Sequence, residues 1–342
     1  MAEQKSSNRF SKLNFEKVRS HYITMFKKKS LGQNFLKSKS AILKMVEVSD
    51  AKKGDMVLEI GPGLGVLTEA LLDTEAKVVA VEKDYQLIPI LEEKFAKEIS
   101  SGQLELIYGD ILETEIPNPD NVGECKSFLS PRRRGAGLVN DPTEGRDLDK
   151  SEPRTAQKVA GLFGEAQETF SKPNCPDLEL QNYKLVTNIP YYITGQIIRK
   201  FLETENQPSS MTLLVQKEVA DRIVAKDGKE SLLSISVKAY GSPKYIQTVR
   251  RGSFDPAPKV DSAIIHIADI SRKNFQKISE ENFFRLIHAG FAHKRKQLLP
   301  NLASLYPKDA LTNTFEGLKI PLQFRAENLH LTKWLELCKE LH

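Results

Sequence analysis

The chain has 342 residues, of which 40% are hydrophobic and 28% are charged, a composition typical of a globular protein. No apolar run approaches the roughly 18–20 residues that a membrane span needs. The N-terminus also lacks the apolar core of a secretory signal, so we expect a cytoplasmic protein with no membrane association. Cys125, Cys175 and Cys338 are scattered and odd in number, which argues against a disulfide framework and a zinc site.

The positive charge of the chain is concentrated near its N-terminus. Residues 1–39 contain ten Lys or Arg and two acidic residues, a local charge of +8, whereas the whole chain carries only +5. The remaining residues therefore sum to about −3 by subtraction. We predict a basic N-terminal arm over residues 1–28 that contacts a polyanion; a solvated tail is the alternative.

From residue 55 onward, short apolar runs alternate with segments of helical periodicity. This alternation predicts an α/β, Rossmann-like fold with a mainly parallel sheet covered on both faces. The predicted strands are "DMVLEIG", "AKVVAVE", "LELIYGD", "KLVTNIP" and "SMTLLVQ", and the predicted helices between them are "LGVLTEALLDT", residues 84–100 and "GQIIRKFLET".

The last part of the chain changes in character. "YIQTVRRGSFDPAPKVDSAIIHI" contains two β-rich runs about a Pro-rich turn and predicts a terminal hairpin. Strand signals cease after this segment, so we predict a catalytic domain over residues 29–271 and a small C-terminal α-helical domain over residues 272–342.

One segment interrupts the α/β pattern. Residues 118–182 hold six of the 17 prolines and six of the 19 glycines, and they contain no isoleucine. Such a composition cannot supply a hydrophobic core, so we predict a largely disordered surface insertion. "SPRRRGAG" within it could touch RNA, but acidic residues slightly outnumber basic ones across the insertion, so a solvated loop is favoured.

A glycine-rich loop follows the first predicted strand. "LEIGPGLG" places Gly61, Gly63 and Gly65 where a strand ends and a helix begins, so that the backbone can approach a ligand closely. Glycine loops also occur in nicotinamide- and flavin-binding sheets, but the spacing here is not G-x-G-x-x-G. The loop also lacks the Lys-Ser/Thr pair of a phosphate-binding P-loop.

Acidic residues end the next two strands. Glu82 follows Gly65 by 17 residues, a position from which it can accept hydrogen bonds from ribose hydroxyls. Asp110 ends the third strand, where it suits an adenine amino group. With the glycine loop, these two acids resemble the S-adenosylmethionine site of class I methyltransferases.

The fourth strand ends in "NIPYY". An Asn-x-Pro-aromatic tetrapeptide resembles the motif of methyltransferases that modify an exocyclic amine of a nucleobase. The Asn188 side chain and the Ile189 carbonyl can accept the two amine hydrogens, while Pro190 fixes the turn. Tyr191 can stack on an unpaired or flipped base, whereas we expect Tyr192 to serve packing.

Taken in order, these motifs resemble the bacterial small-subunit (16S) rRNA adenine N6,N6-dimethyltransferase family, RsmA/KsgA. The resemblance runs from about residue 29 to the C-terminus, with residues 118–182 excepted. It rests on "LGQNFL", "EIGPGLGVLT", "VEKD", "GDIL", "NIPYYIT", "VQKEVADRI", "FDPAPKVDSAII" and "GFAHKRKQLLPNL".

The resemblance implies a role for several further residues. Asn34 and Leu36 would touch the methionine end of the donor, and Phe254 would stack on the face of the target base opposite Tyr191. The basic helix around "HKRK" would contact the rRNA backbone. The implied enzyme is a monomer that uses S-adenosylmethionine to dimethylate two adjacent adenosines in a hairpin loop of small-subunit rRNA, within an immature ribosomal subunit.

Two other functions remain open at the level of sequence. A large-subunit rRNA adenine N6-methyltransferase of the antibiotic-resistance type shares the fold and the Asn-Ile-Pro-Tyr form. An RNA-binding small-subunit assembly factor that has lost its chemistry is the second, although Asn188, Glu82 and the glycines are all intact. The insertion departs from the family pattern, since 77 residues separate Asp110 from Asn188.

Overall fold

The structure is a computed structural model that describes residues 34–114, 180 and 182–342. The predicted basic arm, residues 1–28, lies outside the described residues, as does nearly all of the predicted insertion, residues 118–182. Among the helices that are described, none is long and apolar enough to cross a membrane.

Nine strands form two sheets. Seven of them make a large sheet with the spatial order β4-β3-β2-β5-β6-β9-β7, and the other two, β1 and β8, pair only with each other. Strands β2 to β6 run parallel, and β9 is antiparallel to both of its neighbours. The strands are β1 (Phe35–Leu36), β2 (Met56–Ile60), β3 (Lys77–Glu82), β4 (Leu104–Tyr108), β5 (Tyr183–Asn188), β6 (Ser210–Gln216), β7 (Ser242–Val249), β8 (Phe254–Asp255) and β9 (Ser262–Ala268).

The inner parallel strands are buried on both faces, which explains why they read as continuous apolar runs, whereas the edge strand β4 exposes Glu105. In β3 every residue after Lys77 is buried, and in β6 the five central residues are buried. The predicted strands and the antiparallel hairpin of β7 and β9 are therefore confirmed. The pairing of β8 with β1 was not predicted, because each strand is only two residues long.

Eleven helices are described, and the single helix predicted over residues 84–100 is wrong. Residues 84–100 form two helices rather than one, because the chain breaks at Phe95, whose side chain packs into the core beneath the glycine loop. The helices are α1 (Lys39–Ser49), α2 (Val66–Leu72), α3 (Ile88–Lys94), α4 (Ala96–Ser100), α5 (Thr194–Glu203), α6 (Lys217–Val224), α7 (Leu232–Tyr240), α8 (Glu280–Phe291), α9 (Leu298–Leu302), α10 (Lys308–Gly317) and α11 (Leu331–Leu341).

The C-terminal helices share a hydrophobic core with the sheet. One contiguous cluster of buried side chains includes Leu185 of β5 and also Phe283 and Trp334 of the helical segment. Helices α8 and α11 approach closely at Gly290, where a Cβ atom would lie 2.4 Å from the Trp334 ring. Burial of these large aromatic side chains stabilises the packing of the segment.

The predicted basic helix around "HKRK" is wrong in its local structure. Helix α8 ends at Phe291 and α9 begins at Leu298, so residues 293–296 form a turn between two helices. All four residues are exposed, because the turn projects away from the core that its flanking helices bury. The positive charges remain available to solvent, but they do not follow a helical face.

Candidate active site

A cavity opens where strands β2 and β5 separate. The two strands are neighbours in the sheet. After β2 the chain continues to β3 and β4 on one side, whereas after β5 it continues to β6 on the other side. Ligands bind at such switch points of the topology. The pairing of β2 with β5 stops at Leu58 and Leu185. Beyond that point the Thr187 hydroxyl donates to the Ile60 carbonyl at 2.6 Å, so a side chain replaces the lost ladder bond. The strand ends are thus held apart but remain connected.

The glycine loop forms one wall of this cavity. Gly61 and Gly63 have φ angles of +66° and +60°, a region that residues with a Cβ rarely adopt. The Gly61 N–H donates to the Val81 carbonyl at 2.8 Å, which fixes the start of the loop against β3. Both glycines line the cavity and present backbone to it.

Gly65 has a different position from the one predicted for it. It does not belong to the cavity lining; instead, a Cβ atom on Gly65 would lie 2.5 Å from the Phe95 ring. Gly65 immediately precedes helix α2, and its φ of +69° lies in the left-handed region. The residue therefore allows close packing behind the loop, and the structure does not place it against a ligand.

Glu82 lies buried at the end of β3 and lines the cavity beside the loop. One carboxylate oxygen accepts the Gly63 N–H at 3.1 Å, and the other accepts the Asp84 N–H at 2.8 Å. Burial is the main cause that raises the pKa of Glu82 to about 7. The carboxyl group thus holds the loop in place while part of it still faces the cavity.

Glu59 is a second buried carboxyl group in the same wall. Its Oε2 atom has no hydrogen-bond partner in the part of the chain that the structure describes, although the side chain lines the cavity. Burial, with a smaller effect of the nearby Glu82 charge, raises the pKa of Glu59 to about 8. A buried polar atom without a partner is uncommon, and the carboxyl group that carries it belongs to the cavity lining.

Asp110 lines the cavity beyond Glu82, and Lys83 lies beside it. The Lys83 ammonium is 2.5 Å from Asp110 Oδ2, and Asp110 Oδ1 accepts the Leu112 N–H at 3.0 Å. Partial burial acts to raise the pKa of Asp110, but these two contacts outweigh it, so the pKa is lowered. Asp110 is therefore ionised and oriented at neutral pH.

The opposite wall is formed by the residues of the "NIPYY" segment. The Asn188 amide nitrogen donates to the Asn34 carbonyl at 3.4 Å, so the side-chain oxygen of Asn188 is left as an acceptor. Pro190 adopts φ −55° and ψ 129°, and a 3₁₀ helix, Tyr191–Ile193, follows it directly. Proline fixes its own φ near this value, so the turn after Asn188 is rigid.

The two tyrosines of this segment differ in their surroundings. The Tyr191 hydroxyl lies 2.6 Å from the Ser262 hydroxyl, and the ring is half-buried in the cavity wall. Burial raises the pKa of Tyr191, so it is a neutral phenol at physiological pH. Tyr192 is 61% exposed at the cavity mouth, so the prediction that it serves packing is wrong. The tight 3₁₀ turn directs successive side chains to different sides of the backbone.

The remaining predicted residues come together through the β1–β8 pairing. Leu36 lies opposite Phe254 in this register, and both line the cavity together with Asn34. Phe254 is 2% exposed, so its ring is almost entirely packed into the wall. The short pairing thus brings residues more than 200 positions apart in the sequence to one wall.

Comparison with known proteins identifies the family. The sequence profile described as "Ribosomal RNA adenine dimethylase" matches residues 25–342, nearly the whole chain. The chain belongs to the ribosomal RNA adenine dimethylase family. The proteins named ribosomal RNA small subunit methyltransferase A are similar to it. The one from Dehalococcoides mccartyi is 36% identical over 93% of this chain and 89% of its own, and that from Fusobacterium nucleatum is 34% identical over 91% and 96%.

Solved structures agree with this rRNA adenine dimethylase in fold. The 23S rRNA methyltransferase ErmE superposes with a TM-score of 0.62 at 21% identity, covering 90% of this chain and 99% of that one. A dimethyladenosine transferase from Plasmodium falciparum gives 0.61 at 23% identity, covering 89% and 95%. The predicted class I methyltransferase fold is therefore confirmed, as is the family drawn from the motifs.

Sequence reasoning missed three residues at the site of this rRNA adenine dimethylase. No role was predicted for Glu59, which precedes the glycine loop, yet it lines the cavity. Lys83, from "VEKD", pairs with Asp110 across two strand ends. Thr187 joins β5 to β2 through its hydroxyl. A charged or polar residue within an otherwise apolar strand end was the available signal for all three.

Proposed function

We propose that this chain transfers methyl groups from S-adenosylmethionine to the N6 amino groups of two adjacent adenosines in a small-subunit rRNA hairpin loop. The product would be N6,N6-dimethyladenosine, formed during ribosome maturation in the cytoplasm by a monomer that acts on the immature subunit. One observation carries the proposal: Glu82 and Asn188, at the ends of the two strands that flank β2, line one cavity in a ribosomal RNA adenine dimethylase.

The wall that holds Gly61, Gly63, Glu59, Glu82 and Asp110 we term the donor half. S-adenosylmethionine supplies an electrophilic methyl group carried by a sulfonium. The residues fit that molecule, since the glycine backbone allows close approach and buried carboxylates suit ribose hydroxyls and cationic groups. The unpartnered Oε2 atom of Glu59 supports a polar ligand in this half.

The wall formed by Asn188, Ile189, Pro190, Tyr191 and Phe254 we term the acceptor half. The adenine N6 lone pair is delocalised into the ring, which makes the amine a poor nucleophile. Hydrogen bonds from its two N–H groups to the Asn188 and Ile189 carbonyls would pull the nitrogen towards tetrahedral geometry. The lone pair would then point into the donor half.

Aromatic rings would hold the base in that position. Tyr191, fixed by Ser262, offers a ring in the cavity wall, and stacking on an aromatic side chain is worth roughly 1–3 kcal/mol per base. Phe254 would contact the opposite face of the base. Catalysis then depends on orientation and hydrogen bonding, without a side chain of strongly basic character.

The test uses labelled S-adenosylmethionine with two substrates, immature small subunits and protein-free large-subunit rRNA. We expect label only in the small subunits, at two adjacent adenosines that mass spectrometry identifies as N6,N6-dimethyladenosine. Label in the large-subunit RNA would instead support the antibiotic-resistance type of enzyme. Binding to small subunits without any label would support an assembly factor that has lost its chemistry.

A further inference from the structure

Four exposed cationic side chains surround the β1–β8 pairing. The Lys37 N–H donates to the Ser253 carbonyl at 2.7 Å, which brings the chain after β1 against the chain before β8. Lys39 lies two residues beyond Lys37, and two arginines lie within three residues of Ser253. We call this group the cationic patch; its members are Lys37, Lys39, Arg250 and Arg251.

None of the four patch cations forms an ion pair with another residue described in the structure. By contrast, Lys83 is paired with Asp110 and Lys184 with Asp55. The Asp261 carboxylate accepts the Arg251 backbone N–H at 2.9 Å rather than the guanidinium. The patch therefore presents four cationic side chains to solvent, none of them in an ion pair within the described residues.

The backbone that carries the patch is held in place. The Asp261 carboxylate fixes Arg251 at the start of a 3₁₀ turn, Arg251–Ser253, and the Ser253 N–H donates to the Arg250 carbonyl at 2.9 Å. On the other strand, the Lys37 N–H is bonded as described above. Exposed side chains on a fixed backbone lose less freedom on binding than those of a mobile loop.

One of these two strands, β8, supplies Phe254 to the acceptor half, and β1 lies beside it. Leu36, which precedes Lys37, and Phe254, which follows Ser253, both line the cavity. Lys37 follows Leu36 directly and Arg251 precedes Phe254 by three residues, so the patch adjoins in sequence the strands that line the cavity. A nucleotide whose base enters the cavity leaves its own phosphates outside, on the protein surface.

We propose that the cationic patch binds the RNA phosphates that flank the target adenosine, and so positions the base over the acceptor half. The inference rests on the proposed function, because it takes RNA as the substrate of the site. Arginine and lysine side chains without carboxylate partners are suited to phosphate, and arginine can contact it through two N–H groups. Such contacts position a nucleic acid without reading its sequence.

The test compares two double variants that remove the same charge. Arg250→Gln/Arg251→Gln removes half of the patch and leaves the backbone bond to Asp261 intact. Lys52→Gln/Lys97→Gln is the charge-matched control, since Lys52 precedes β2 and Lys97 precedes β4, at the edge of the sheet opposite the cavity. Both lysines are exposed, and of the two only Lys52 forms an ion pair within the described residues, with Asp50 at 3.3 Å. The measurements are the Kd for an RNA hairpin with two adjacent loop adenosines, at several salt concentrations, and the Kd for S-adenosylmethionine.

For the patch variant we expect the RNA Kd to rise about tenfold near physiological salt. The slope of log Kd against log salt should fall by about 1.4, because each lost phosphate contact removes about 0.7 for single-stranded RNA. KM for RNA should rise while kcat at saturating RNA and donor affinity stay unchanged. The control variant should behave as the wild type.

If the RNA Kd and salt slope of the patch variant equal those of the control, the patch proposal is wrong while the proposed function remains intact. A weaker donor Kd or a lower Tm in the patch variant would also overturn it, since the arginines would then serve the fold or the donor half. If the wild-type protein neither binds nor methylates the RNA, the proposed function fails and the patch proposal falls with it.

Discussion

The donor half of the cavity is lined by buried carboxyl groups, whereas the acceptor half is lined by an amide, a proline and aromatic rings. Glu59 and Glu82 both have raised pKa values because burial disfavours their charged forms. Asn188 and Tyr191 carry no charge at neutral pH. The difference matches the proposed ligands, since the donor is cationic and its ribose donates hydrogen bonds, while the adenine amine is neutral and requires oriented dipoles.

This contrast separates binding from chemistry. If the donor half mainly binds and the acceptor half mainly orients the reacting amine, substitutions in the two halves should change different kinetic constants. Loss of an interaction that forms only in the transition state lowers kcat, whereas loss of ground-state binding raises KM or Kd.

The largest effect is expected from Asn188→Ala. Removing the side-chain carbonyl leaves one amine hydrogen unbonded, so kcat should fall by about 100- to 1000-fold, a loss comparable to that of one transition-state hydrogen bond in other enzymes. The Kd for S-adenosylmethionine, measured by calorimetry, should change less than about threefold. Asn313→Ala, an exposed amide on α10, is the control. A variant that methylates at the wild-type rate would remove Asn188 from the mechanism.

Glu82→Gln should weaken donor binding and leave kcat nearly unchanged, the reverse of the effect of Asn188→Ala. Gln keeps one acceptor oxygen but loses the charge and one of the two bonds to the Gly63 and Asp84 N–H groups. We expect donor Kd to rise about 10- to 100-fold, as a charged hydrogen bond is worth about 1.5–3 kcal/mol. At saturating donor, kcat should remain within a few-fold of wild type. An unchanged Kd, equal to that of Glu105→Gln on the exposed side of β4, would contradict this role.

A smaller effect should appear in the pH dependence of stability without donor. Folding raises the pKa of Glu59 from 4.5 to about 8 and of Glu82 to about 7, so the folded chain binds more protons than the unfolded chain between these values. Their stabilising contribution is therefore complete below the unfolded pKa and is lost as pH rises through the folded values.

This pH dependence can be followed by thermal unfolding. The Tm should decline from about pH 5 to about pH 8, and Glu59→Gln should flatten the upper part of the decline because the amide does not titrate. Glu93→Gln, on the exposed face of α3, should leave the profile unchanged. A flat profile in the wild type would show that the buried carboxyl groups are ionised without penalty.

The smallest effect is expected from Tyr191→Phe. The ring is kept and only the hydroxyl bond to Ser262 is lost, a net change of about 1 kcal/mol, so KM for RNA should rise only two- to fivefold. Tyr191→Ala removes the stacking surface as well and should raise KM for RNA at least ten times further than Tyr191→Phe does. Donor Kd should stay constant in both. Equal effects of the two variants would show that the hydroxyl, rather than the ring, serves the acceptor half.

The parts of the site that could be predicted from sequence are those fixed by local patterns. The apolar strands, the turn glycines at Gly61 and Gly63, and the "NIPYY" segment all lie where their neighbours in sequence place them. Parallel strands end at one edge of the sheet, so Glu82, Asp110 and Asn188 were expected to converge, and they do line one cavity.

What could not be predicted depends on contacts between distant segments. Gly65 packs against the ring of Phe95, a residue 30 positions later that lies between α3 and α4. No local sequence pattern indicates that these two residues are in contact. The exposure of Tyr192 follows from a turn that anchors its neighbour to Ser262 on another strand. The β1–β8 pairing consists of two residues on each side, too few for any periodic signal.

That pairing also determines when the site can exist during synthesis. Phe35 leaves the ribosome early, but its partner Asp255 follows about 220 residues later, and Asn188 must arrive before it can bond to Asn34. Contacts of such long sequence separation form late in folding. A nascent chain that has completed the glycine loop therefore still lacks one wall of its cavity.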